Sequence, residues 1–406
     1  MPLIERVLHL TAGLSLAAAL LLAAAHPGLV LSGSGHPLLP GALHLATLGG
    51  IVSLAYAQQH GQWRRLYGQR APWTPLLWFA WMLHVDGLAL LAWGFLAQDT
   101  KLALVGGHYL APTGIVLALA HGWTAAWRRP RSSERWLAAH LPALGLAVAG
   151  SLGALLAMEA RQPRWGLYVP ATILAHLLAA GFLFVLPTLL LTAALPPAPS
   201  SRGPRGAPAG AAGSATQAAP PGSALALLRW YAMTAVGAGG VLLVLLALGQ
   251  TGPSRLLPVG LALLGAQLVW LGLPGPGPLR GTTLVPLAGR LATGVLLFYA
   301  ALRYGRGSGP ADALWLAKVG VLLFVAGVAL PELLAERERA AAAPPGGTLA
   351  RQSVWLAGTA ALVAGQLWAL PVAVQAGAAL WLAGLAWHGW VAGVAGHTAQ
   401  PPAAGG

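Results

Sequence analysis

The sequence predicts an all-α protein, a polytopic membrane helical bundle of about 12 transmembrane helices, and three observations carry that prediction. Of 406 residues, 57% are hydrophobic and only 8% are charged, whereas a soluble domain carries about 25% charged residues. The apolar residues gather into runs near the length of a membrane span, about 20 residues. The cations sit in short connections between those runs, which is where membrane topology puts them.

Taken in order, the runs place helices at roughly 8–25, 41–58, 75–96, 102–126, 136–157, 167–194, 226–249, 256–273, 284–303, 312–334, 352–371 and 373–396. Hydrocarbon offers the backbone no water partner, so runs this apolar fold as helices rather than open strands. Pro112, Pro187 and Pro286 fall within or near spans, where they kink a helix whose neighbours satisfy the freed groups. Arg6, the first apolar run and Ala23-Ala24-Ala25 also have the form of a cleavable signal peptide. The reading adopted here is a retained first helix.

Residues 196–225 are rich in Pro, Gly and Ala and cannot bury a core, so they read as a disordered cytoplasmic linker. They separate a His-rich six-helix membrane half, 1–195, from a second six-helix half, 226–397, and 398–406 read as a disordered tail. Lys and Arg counted over alternate connections divide fifteen against six, which places both termini in the cytoplasm. Arginine far outnumbers lysine, which occurs only at Lys101 and Lys318, and Ala, Gly, Leu and Pro dominate. That bias suits a GC-rich bacterium, and with it the bacterial cell (inner) membrane.

The formal charge of +14 is not a nucleic-acid signal, because the arginines are spread over loops rather than one basic face. The lipid bilayer is the partner it implies. The chain has no cysteine, which excludes disulfides, iron–sulfur clusters and thiolate ligation of haem. Walker, His-Glu-x-x-His and Gly-x-Ser-x-Gly signatures are absent from the sequence.

Chemistry points to the first half, where ten of twelve histidines precede residue 177. Ionisable groups inside a membrane are expensive and mark function, and imidazole is a ligand that haem iron and copper favour. At about 1.5 Å per residue, His44, His108 and His176 fall in the outer half of their helices and His84 near mid-span. These four come from separate helices and form the candidate cofactor-binding set, with Gly49, Gly50, Gly87, Gly106 and Gly107 leaving room for a planar ring. His9, His60, His121 and His140 lie toward the cytoplasmic face, and His9, His60 and His140 read as interfacial. A two-haem pattern is disfavoured, since His44 and His60 are offset by about 160° and His108 and His121 by about 220° at 100° per residue. Asp86 is the carboxylate deepest in a span; it is expected to face the bundle interior as a proton or ion relay. The many tryptophans read as interface anchors.

Ala42-Leu43-His44-Leu45-Ala46-Thr47-Leu48-Gly49 resembles the histidine-bearing helix of single-chain relatives of haem–copper oxidase subunit I. Ala175-His176-Leu177-Leu178-Ala179-Ala180-Gly181-Phe182 is similar to another His-x-x-x-x-Gly segment of that family. The resemblance implies a haem-linked redox or nitric-oxide-related membrane protein with His44 as a haem ligand. The family's paired histidines in its seventh and tenth helices have no counterpart in 226–249 or 312–334, so a full binuclear centre is not expected. The competing expectation is a secondary transporter or permease, since six plus six helices around a linker is a common transporter layout. His84 and Asp86, with Arg290, Lys318 or Gln267, would then line its path.

Overall fold

The computed structural model describes residues 3–31, 38–67, 74–127, 133–161, 176, 179–185, 187–188, 262, 265–266, 291–296, 298–299, 302 and 345–398. All regular structure among the described residues is helical. Three of the described helical stretches, Leu3–Ala25, Leu39–Trp63 and Thr74–Leu96, are long and apolar enough to cross a membrane. The linker at 196–225 lies outside the described residues, as do the expected helices at 226–249 and 312–334 and all of the expected 398–406 tail except Thr398, which ends a helix.

The first helix, α1 (Leu3–Ala25), is followed by a single turn, α2 (Gly28–Leu31). The second long helix is continuous but not uniform. It begins as α3 (Leu39–His44), widens into a π-helical segment, π1 (Leu45–Val52), and tightens again into α4 (Ser53–Tyr67). Then follow α5 (Thr74–Leu96), α6 (Thr100–Trp127), α7 (Ser133–Arg161) and a second π segment, π2 (Ala179–Val185). Late in the chain come α8 (Pro345–Trp368) and α9 (Pro371–Thr398).

The breaks between helices have local causes. After α5, Gln98 takes φ 57° and Asp99 N–H donates to Gly94 O at 2.7 Å, a left-handed stop. The Asp99 carboxylate then accepts from the backbone N–H of Lys101 (2.9 Å) and Leu102 (3.1 Å), capping α6. Between α8 and α9, Ala369 takes φ 52°, and Pro371 opens α9 with its fixed φ and no donor to lose.

Glycine sets how closely the helices pack. Gly106 of α6 presses on the backbone of Leu91 and Gly87 in α5, and Gly114 of α6 on that of Ala147 in α7. Gly49 and Gly50 of π1 sit against Ser15 and Leu16 of α1. In the α8–α9 hairpin, Trp355 fills the notch left by Gly384 and Trp381 that left by Gly358, and the two indoles stack with centroids 5.9 Å apart. Small-residue seams of this kind let helices associate where water supplies no hydrophobic drive. α1 packs on π1 and α4 on one side and on α9 on the other, and Gln375 of α9 donates to Ala24 O at 3.2 Å. The outer surface is apolar, with Leu10, Leu14, Leu21, Phe79, Met82, Trp93 and Leu119 exposed.

Candidate functional site

His44 ends α3, where the backbone is about to open into π1. Its Nδ1–H donates to Pro40 O at 2.6 Å, and a carbonyl can only accept, so Nε2 keeps the lone pair. The ring stacks on Phe95 of α5, centroids 5.4 Å apart and planes 14° off parallel. Gly41, one turn earlier, lies against Phe95 and the Ala92 carbonyl; this lets α3 approach α5 closely. His176 repeats the pattern from the far side of the chain. Its Nδ1–H donates to Ala149 O of α7 at 2.7 Å, leaving Nε2 as its lone-pair atom too, and its ring lies over Gly153. His44 directly precedes π1 and His176 lies three residues before π2, and π segments are frequent at functional sites.

His84 of α5 is 2% exposed and does a different job. Its Nε2 lies 2.9 Å from Ser53 Oγ and 3.1 Å from Leu48 O. The ring can donate to the carbonyl or accept from the hydroxyl, so both protonation states find a partner. Ser53 Oγ–H also reaches Leu48 O, at 3.4 Å. The wider π turn moves that carbonyl out of the regular α pattern, and two side chains meet it.

The other expected site residues take different settings. His108 is exposed on α6, its Nδ1–H donating to Leu104 O at 2.7 Å. Asp86 is exposed on α5 rather than interior. It stands two residues, about 200°, from His84; with His84 facing α4, Asp86 must face outward. Arg290, Lys318 and Gln267 lie outside the described residues, as do the side chains of His121 and His140. The 160° offset between His44 and His60 presumed a uniform α-helix, and π1 lies between them, so that phase does not carry across.

Sequence reasoning missed a polar group at the N-terminal end of α1. Glu5 and His60 are both buried, and His60 Nδ1–H donates to Glu5 Oε1 at 2.8 Å. His60 is thus an interior residue, not an interfacial one. Tyr56 is buried and donates to Leu77 O at 3.2 Å, and Gln62 donates to Thr188 O at 2.6 Å, tying α4 to the residues after π2. Ser53, Tyr56 and His60 fall at i, i+3 and i+7, one face of a helix, which was the available signal. Arg351, one of the fifteen cations that the sequence puts on the cytoplasmic side, is buried in α8 at 1% exposure, 5.9 Å from the Trp387 ring.

Among the described residues no group of three or more His, Cys, Asp or Glu side chains is arranged to hold a metal ion. No model of a known protein family and no curated protein matches the chain.

Proposed function

We infer that this chain is a multi-pass protein of the bacterial inner membrane, with about twelve helices and both termini in the cytoplasm, that binds haem through His44 and His176. The observation that carries the reading is a shared setting: two half-buried imidazoles from separate helices, each with Nδ1–H committed to a backbone carbonyl. That carbonyl bond fixes ring orientation and raises the basicity of Nε2, as it does for metal-bound histidines generally. Phe95, stacked on His44, holds the first ring in place. Gly153 leaves the space beside the second.

Haem, if held by His44 and His176, would supply one-electron chemistry suited to electron transfer or sensing. The resemblance to oxidase subunit I-like proteins at both histidine segments supports the same reading. So does the absence of histidine from 226–249 and 312–334, which argues against a binuclear centre. The apolar outer surface supports the membrane assignment.

The test is a reduced-minus-oxidised visible spectrum of the full chain purified from haem-replete cells. His44→Ala and His176→Ala are each expected to abolish the haem bands, and His108→Ala to leave them. A colourless wild type, or bands that survive both substitutions, overturns the reading and favours transport centred on His84.

A further inference from the structure

Between the N-terminal end of α1 and His84 runs a row of buried polar side chains that haem binding does not use. Glu5 and His60 meet at 2.8 Å. Four residues earlier on the same face of α4 is the Tyr56 hydroxyl, and three earlier again is Ser53, in contact with His84 Nε2 at 2.9 Å. From His60 to Ser53 the backbone rises about 10 Å at 1.5 Å per residue, a span that the Tyr56 hydroxyl and intervening waters would have to bridge. Gln59, on the same helix and 1% exposed, has both amide atoms buried without a hydrogen-bond partner. Burying an amide unpaired costs a few kcal/mol, roughly 1–3, so its natural partners are waters beside this row. The residues come from three helices, α1, α4 and α5, and a merely structural polar contact would not need to be continued over two turns.

We propose that Glu5, His60, Tyr56 and Ser53 form a proton-conducting file from the N-terminal face of α1 to the buried ring of His84. The Glu5 carboxylate takes a proton from outside and gives it to His60 Nδ1 in the tautomer that carries hydrogen on Nε2; Nε2 releases its own proton onward, which leaves the Nδ1–H bond to Glu5 Oε1. The Tyr56 and Ser53 hydroxyls each accept a proton on oxygen as they give one up. His84 accepts the last at Nε2 from Ser53 and, once protonated, donates from Nε2 to Leu48 O, 3.1 Å away. One proton moves and nothing is oxidised. Around Glu5, His9 donates to the Glu5 backbone carbonyl at 2.6 Å and Arg6 is exposed. The file stands on its own geometry, whatever His44 and His176 hold.

The experiment is hydrogen–deuterium exchange at the imidazole ring nitrogens, read histidine by histidine by nitrogen NMR on the full chain in lipid nanodiscs. A ring nitrogen exchanges only when a proton is delivered to it or taken from it, so the rate reports proton access. Exposed His108 serves as the internal clock. His84, despite its burial, is expected to label on the timescale of His108. Tyr56→Phe, which removes one hydroxyl and no bulk, is expected to slow His84 by about a hundredfold, the low end of what one positioned proton-transfer group contributes, with His108 unchanged. His60→Gln, which keeps a hydrogen bond to Glu5, is expected to do the same. If wild-type His84 stays unlabelled while His108 labels fully, or if both variants leave its rate unaltered, the file is overturned. Neither result depends on whether the protein is coloured.

Discussion

Gly106 and Gly107 are neighbours in α6, yet a methyl group added to each meets opposite surroundings. At Gly106 a Cβ would fall 2.6 Å from Gly87 O, 2.7 Å from Leu91 Cα and against Leu91 N, all backbone atoms of α5; at Gly107 it would meet nothing within 4 Å. Ordinary contact begins near 3.4 Å, so Gly106→Ala forces α5 and α6 apart by at least about 0.8 Å (3.4 − 2.6). No rotamer change relieves it, because no side chain is in the way. Overpacking of this kind costs about 1–3 kcal/mol and sometimes more. Both substitutions gain the same helix propensity, up to about 1 kcal/mol, which cancels in the comparison. Reversible unfolding in mixed detergent and dodecyl sulfate should therefore place Gly106→Ala about 1–3 kcal/mol below Gly107→Ala, with Gly107→Ala at or above wild type. Equal stability for the two variants would mean that α5 and α6 do not meet through this seam.

The α8–α9 hairpin offers a parallel comparison: Gly384→Ala meets the Trp355 indole, while Gly389→Ala meets nothing within 4 Å. The first should lose about 1–3 kcal/mol and the Trp355–Trp381 stacking signature in near-ultraviolet circular dichroism, and a retained signature would refute the knob-in-notch packing. For the buried Glu5–His60 pair, removing either partner alone should cost about 3 kcal/mol, and the double alanine variant less than the sum. A double-mutant cycle with zero coupling would show that the two do not act as a pair.

The long helices were legible because apolar runs and their punctuation coincide. The expected ends at 96 and 371 fall within a few residues of observed ones, where Asp99 and Pro371 supply a cap and an opening proline. His44 and His176 stood out in the sequence as histidines followed by small residues in apolar helices. The carbonyls that hold their rings did not, because the one at Ala149 depends on how 176 packs against α7. The outward position of Asp86 follows from its angle to His84 once His84 is known to face α4, but sequence alone does not say which of the two points inward. Glu5 was overlooked for its nearness to the end of a run, although an acid at that depth is buried when a partner such as His60 arrives from the next helix. π1 left no trace, because a local widening is the residue of two packing demands and not of any composition.

Those two demands yield a prediction. A π segment arises when one strand of helix carries more residues than its flanking contacts need, the surplus being absorbed locally. Here the flanks are fixed independently, His44 by Phe95 on one side and Ser53 by His84 on the other. Deleting Ala46 should let π1 tighten toward α while both flanks stay in place. Deleting Ala57 from α4 has no surplus to draw on, so it rotates His60 relative to Ser53 by about 100° and breaks either the Glu5 or the His84 contact. The chain contains no cysteine, so introduced pairs report cleanly. With a short bifunctional thiol reagent, the pairs His44→Cys with His176→Cys, Ser53→Cys with His84→Cys, and Glu5→Cys with His60→Cys should all cross-link in the otherwise native chain. The Ala46 deletion should preserve all three, and the Ala57 deletion should lose one of the last two. Equal losses in both deletions would mean that π1 carries no surplus and that the phase of this helix is set by the widened turn itself.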